Sequence, residues 1–270
     1  MKKSILLLLS VFAFVTLSLA QKKETRNVGD FSKLSYGVSG TLYLTQGNEN
    51  SVVIEGDEET LEEINTEVRG DKLVIRDKNN SWWGWNNSKK VTIYVTMKTI
   101  ESIGVSGSGN LVAKNKINTS NLDLHVSGSG DLTADIEVRD ELEASASGSG
   151  DMMIRGICKD FDSSVSGSGR ISGKLRINED AKMTISGSGK IEIEGTSKSV
   201  TARISGSGSV RAADLETESC KVTISGSGGV QINVKNSLDA SISGSGSVSY
   251  RGNPSSVNSH SSGSGKVRKM

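Results

Sequence analysis

Histidine and cysteine each occur only twice in the 270-residue chain, and neither charge sign dominates. His125 and His260 are too widely separated to share one metal ion or one catalytic proton, and both read as exposed residues on an outer face. No Ser-His-Asp arrangement is available, and the glycine-rich segments lack the lysine and the strand-to-helix setting of a phosphate-binding loop. Acids and bases are dispersed, and the formal charge of +1 becomes −1 once Lys2 and Lys3 are removed. That balance points to no nucleic-acid or membrane partner. No stretch after the first 20 residues is apolar enough to span a membrane as a helix. Aromatic residues make up 4% of the chain against 31 glycines, a composition that would suit a disordered linker. Strict periodicity of the apolar positions argues otherwise, since a disordered chain has no reason to keep one.

The first 20 residues read as a secretory signal peptide. Lys2 and Lys3 precede an apolar run from Ile5 to Val15, and Ser18-Leu19-Ala20 supplies a cleavage-type site before Gln21. Export to the periplasm, the cell surface or the exterior is therefore expected.

What the chain has in quantity is Ser-Gly-Ser-Gly. Nine copies begin at Ser106, Ser127, Ser147, Ser166, Ser186, Ser205, Ser225, Ser243 and Ser262, at intervals of 18 to 21 residues. A period this regular marks one structural unit stacked repeatedly. The residues five, three and one before each first serine are apolar in nearly every coil, as in Leu122, Leu124, Val126 or Leu238, Ala240, Ile242. The residue five after it is apolar in all nine, from Leu111 to Val267. Both flanks are thus half-buried strands of period two. One such unit cannot close a core alone, whereas coils stacked at about 4.8 Å can. The spacing of two excludes an α-solenoid.

This reading makes the chain an all-β solenoid of about 20 residues per coil over 101–270. It is preceded by a less regular β segment, 21–100, continuous with it. That segment holds a degenerate first coil at Leu34–Leu44 and one short helix capped by Asp57, with Leu61, Ile64 and Val68 on one face. Continued alternation would point both tetrapeptide glycines inward, where close backbone approach or positive φ requires Gly. It would also set the serines outward, as hydroxyl ladders hydrogen-bonded along the axis. The last coil turns polar, with Ser259 and Ser261 at inward positions after Pro254.

Cys158 and Cys220 lie three repeats apart, about 14 Å at strand spacing, beyond the roughly 7 Å reach of a disulfide. Two free, mostly buried thiols are expected even in an oxidising compartment.

Two sets of residues are candidate sites. Trp82, Trp83 and Trp85, all the tryptophans of the chain, sit in a polar loop of asparagines and suit stacking on sugar rings. The alternative is that they cover a sheet edge. Four residues after each first serine runs an outer ladder, Asn110, Asp131, Asp151, Arg170, Lys190 and onward. Asp131 and Asp151 are stacked neighbours and a weak candidate for a divalent ion or an acid/base pair. A solvated, charge-paired ladder is the plainer reading. Outward Ser and Thr could also present a regular hydroxyl array to a crystalline polysaccharide. No cofactor is expected.

The run Leu34–Leu44, the strand Ser51–Gly56, the acidic helix from Asp57, Leu73-Val74-Ile75, Val91–Val95 and Ile103-Gly104-Val105 leading into Ser106-Gly107-Ser108-Gly109-Asn110-Leu111 together resemble the head GIN domain family of auto-transporter adhesins. The resemblance covers nearly the whole chain after Gln21. It implies a right-handed parallel β-helix-like fold on an exported adhesin. Met97-Lys98-Thr99 departs from the family pattern, which usually has a proline there, and no membrane-barrel translocator is expected after the repeats. The functional expectation is an exported, non-enzymatic binding protein of the cell surface or periplasm, with an extracellular glycan or surface protein as partner. The alternative is a polysaccharide-processing enzyme using Asp131 and Asp151.

Overall fold

The computed structural model describes residues 22–78 and 91–270. The segment read as a signal peptide and the three tryptophans lie outside the described residues.

Before the repeats come β1 (Lys22–Arg26), β2 (Lys33–Gly37), β3 (Thr41–Gln46), β4 (Ser51–Gly56), α1 (Glu58–Glu63), β5 (Ile64–Arg69), β6 (Lys72–Asp77) and β7 (Thr92–Met97). The repeats open with β8 (Ser102–Gly107), β9 (Asn110–Ala113), β10 (Ile117–Thr119), β11 (Leu122–Gly128), β12 (Asp131–Val138) and β13 (Glu141–Gly148). Strands of the same kind continue to Lys269.

Each tetrapeptide is a corner between two walls. In the first wall β2, β8, β11 and β13 stack in parallel and in register, so that Ser106, Ser127 and Ser147 form one column. In the second wall β3, β9 and β12 stack the same way and continue into Asp151–Cys158. The apolar positions named from Leu122 to Ile242 all face the interior and are at most 4% exposed. Burial of each Val, Leu or Ile contributes about 1.5–3 kcal/mol, so the core gains with every coil added. It is one continuous cluster from Phe31 to Val248.

The degenerate first coil is present, since β2 and β3 pair directly with β8 and β9. Beyond it the walls are extended by other chain directions. In the first wall β6 runs parallel to β2 and β5 antiparallel to β6. In the second, β7 is parallel to β3, and β4 and β1 follow antiparallel.

The helix is shorter than its apolar spacing indicates. The Asp57 side chain accepts from the Thr60 N–H at 2.7 Å, as an N-cap should, but α1 ends at Glu63. Ile64 and Val68 belong to β5, where they oppose Asp77 and Leu73 across a hairpin. Pairing along β6 supplies more backbone hydrogen bonds to this β-branched run than another helical turn would.

The corner corrects the expectation that both glycines face inward. The first glycine is outside, at φ +121° in Gly128, a region that favours glycine. The second is buried, and a Cβ at Gly130 would lie 2.3 Å from the Gly109 carbonyl oxygen of the coil before. Positive φ and close approach therefore each claim one glycine. The serines do face outward, but their hydroxyls do not bond along the axis. Among the described residues the one exception is Ser106, whose hydroxyl donates to the Tyr36 carbonyl of the neighbouring coil at 3.3 Å. Backbone groups join the corners instead: Ser129 and Gly130 N–H both donate to the Gly107 carbonyl, at 2.8 and 2.9 Å.

The final strands keep register, with Val257, Ser259 and Ser261 stacked on Leu238, Ala240 and Ile242. These three inward positions are exposed.

Candidate functional site

The two walls do not start at the same height on both sides of a coil. The second half of the second wall begins only at β10, which pairs with the Ile136–Val138 half of β12. The coil before it ends at Gln46, where the chain turns through Gly47 into β4. A notch results, about 570 Å³ in volume. Gln46, Lys98 and Thr99 line one side; Asn118, Thr119, Ser120, Asn121 and Asp123 line the other, with Arg139, Glu141 and Glu143 from the next coil.

Side chains locked onto backbone shape this notch. Gln46 Nε2 donates to the Asn118 carbonyl at 3.0 Å, and Gln46 Oε1 accepts from the Asn118 N–H at 2.7 Å. Asn115 does the same to Gln46, accepting from its N–H and donating to its carbonyl, both at 2.9 Å. Asn121 Oδ1 accepts from the Glu141 N–H at 3.3 Å, and Arg139 Nη2 donates to Ser120 Oγ at 2.5 Å. Planar amides and a guanidinium held this way fix the shape of the polar lining.

The predicted ladder exists as read. Arg170 stacks on Asp151 and Lys190 on Arg170. Asp131 Oδ1 accepts from the Asp151 N–H at 3.3 Å, and the Asp151 carboxylate lies 3.9 Å from Arg170. Both acids are exposed and engaged with their own neighbours. Among the described residues no group of three or more His, Cys, Asp or Glu is placed to hold a metal ion. His125 Nδ1 is 2.8 Å from Ser145 Oγ, and His260 is exposed on the same outer column. Cys158 and Cys220 are free and buried, and burial pushes each thiol from the ordinary 9.0 up to about 12.

Two features escaped the reading of the sequence. One is the notch, which depends on where a coil is interrupted. The other is an aromatic pair on the outer second wall: Tyr43 and Tyr94 stack across β3 and β7 with centroids 5.7 Å apart. Lys114 and Lys23 lie over the two rings at 4.5 and 5.5 Å. The alternation Leu42-Tyr43-Leu44 and Ile93-Tyr94-Val95 already sets both tyrosines outward.

An interior of apolar side chains enclosed by walls of stacked parallel strands defines a β-solenoid. The family model described as "Putative auto-transporter adhesin, head GIN domain" matches residues 30–193 and 172–254, and the chain belongs to this family. Among solved structures, a "putative adhesin" from Parabacteroides distasonis is 22% identical with a TM-score of 0.71, covering 94% of this chain and 98% of its own. A "putative lipid binding protein" from the same organism is 23% identical with a TM-score of 0.69, over 93% and 96% of the two chains. A "putative adhesin" from Parabacteroides merdae is 18% identical at the same TM-score and the same coverage. At these identities the likeness shows a shared fold. No curated protein matches the chain. No helix among the described residues is long and apolar enough to cross a membrane.

Proposed function

We propose that the protein is an exported, non-enzymatic adhesin-type protein of the cell surface, periplasm or exterior that binds a glycan in the notch beside β10. The notch itself carries this reading. Its volume lies within the range of about 300–1,000 Å³ of small-molecule sites, and its lining is dominated by amides, hydroxyls, carboxylates and one guanidinium. Such groups match the paired hydroxyls of a sugar, and Asn121 and Arg139 are already fixed by their own hydrogen bonds. Family membership supports the adhesive role. On sequence grounds Trp82, Trp83 and Trp85 join the reading as rings that stack on sugars.

A glycan array with the purified chain, read beside a polysaccharide-degradation assay, tests it. Binding without cleavage that falls in an Asn121→Ala, Arg139→Ala variant is expected. Cleavage of a bound polysaccharide, or an array without hits, overturns the proposal. Phospholipid vesicles serve as a comparison arm, and binding to them alone counts against a glycan ligand.

A further inference from the structure

The notch does not end at Lys98 and Thr99. These two residues also line a second depression of about 360 Å³, whose other side is formed by Asp30, Ser32, Asn50 and Asp71. Resting on the glycan reading above, we propose that the two depressions are one groove, crossing a saddle at Lys98–Thr99, and that it takes an extended oligosaccharide bearing amino groups.

Continuity gives the length. A single sugar would need only one depression, whereas two that share a rim suit a chain laid across both. Thr99 is exposed on this shared rim, and the Lys98 ammonium leans toward the second depression, 3.5 Å from Asp30 Oδ1. Asn50 fixes this rim by accepting from the Lys98 N–H at 2.9 Å and donating to the Phe31 carbonyl at 3.2 Å.

Charge gives the ligand class. The first depression is lined by four acids, Glu101, Asp123, Glu141 and Glu143, against Lys98 and Arg139. The second adds Asp30, paired with the same Lys98 at 3.5 Å, and Asp71, paired with Lys33 at 2.7 Å. Glu143 is stacked on Asp123 on one side and on Asp162 on the other. Like charges directly opposite across strands are destabilising. Among the described residues no hydrogen bond or ion pair engages the Glu141 or Glu143 carboxylates. Ammonium groups on a sugar chain would supply the missing cations, while the Asn, Ser and Thr groups of the same lining meet its hydroxyls.

Calorimetric titration of the full chain with a hexamer of β-1,4-linked glucosamine, its fully N-acetylated counterpart and a glucosamine dimer tests this. The glucosamine hexamer should bind about tenfold or more tighter than the acetylated hexamer, with the difference shrinking in high salt. Its affinity should fall both in Glu141→Gln, Glu143→Gln and in Asp71→Asn, and also in Thr99→Trp, which fills the saddle from an exposed position. The dimer should be sensitive to only one of the first two. Equal binding of the two hexamers overturns the inference while leaving the glycan reading intact. So does a hexamer indifferent to both Asp71→Asn and Thr99→Trp. Equal affinity for hexalysine overturns the saccharide and assigns the groove to a basic peptide. Loss of all glycan binding, on the array as well, removes the reading on which it rests. Unfolding midpoints of each variant separate lost binding from lost fold.

Discussion

The side-chain amide of Gln46 pairs with both backbone groups of Asn118, standing where a neighbouring strand would stand. It covers the exposed edge of β10 at the point where the preceding coil has left the stack. Removing both bonds in Gln46→Ala should cost about 1–2 kcal/mol locally, since each is worth about 0.5–1.5 kcal/mol net. Amide hydrogen exchange at Asn118 should then quicken by about tenfold, because 1.4 kcal/mol is a factor of ten. Unchanged exchange would mean that β10 is held without Gln46.

The corner glycines should tolerate no side chain. A Cβ at Gly130 meets the Gly109 carbonyl at 2.3 Å, a backbone atom that cannot swing aside. At Gly128 the positive φ adds to a contact of 2.5 Å with the Gly107 carbonyl. Gly130→Ala and Gly128→Ala should each destabilise by at least about 1–3 kcal/mol in urea titrations. Ser129→Ala, between them and exposed, should stay within about 0.5 kcal/mol of the parent.

The stack was legible because its signal is local and repeated. Period-two apolar residues around a fixed tetrapeptide give inward positions, register and the Asp131–Asp151–Arg170 ladder without any long-range knowledge. Ile64 and Val68 have helical spacing, but they pair in a hairpin with β6, which apolar periodicity does not reveal. The serine hydroxyls were misread because outward columns say nothing about rotamers, and the backbone already joins the corners. The notch was invisible for another reason. It is made by what coil-to-coil stacking lacks beside β10, and the residues lining it come from four separate stretches, Gln46, Lys98–Glu101, Asn118–Asp123 and Arg139–Glu143.

Free thiols should persist even in an oxidising compartment. Cys158 and Cys220 sit in different strands of different coils and are 0% and 4% exposed. Thiol reagents at pH 8 should label neither in the native state, because burial leaves the thiols protonated and out of reach. After unfolding without reductant, two thiols per chain should label. Labelling of none would require a disulfide that this stacking register forbids.

Stability should fall at alkaline pH, and the same thiols are part of the cause. Burial raises each from 9.0 to about 12, so the folded state keeps two protons that the unfolded state gives up. Their contribution is fully present below pH 9 and is lost as pH rises from 9 through about 12. Tyr36, whose buried hydroxyl has no hydrogen-bond partner among the described residues and whose acidity burial also weakens, pushes in the same direction. Urea midpoints measured from pH 7 to pH 11 should therefore decline above about pH 9. Cys220→Val places at that inward position the residue already found at Val200, its register partner in the neighbouring coil. Together with Cys158→Val it should flatten part of the decline while leaving the neutral-pH midpoint close to the parent. An unaltered slope in the double variant would assign the alkaline loss to Tyr36 instead.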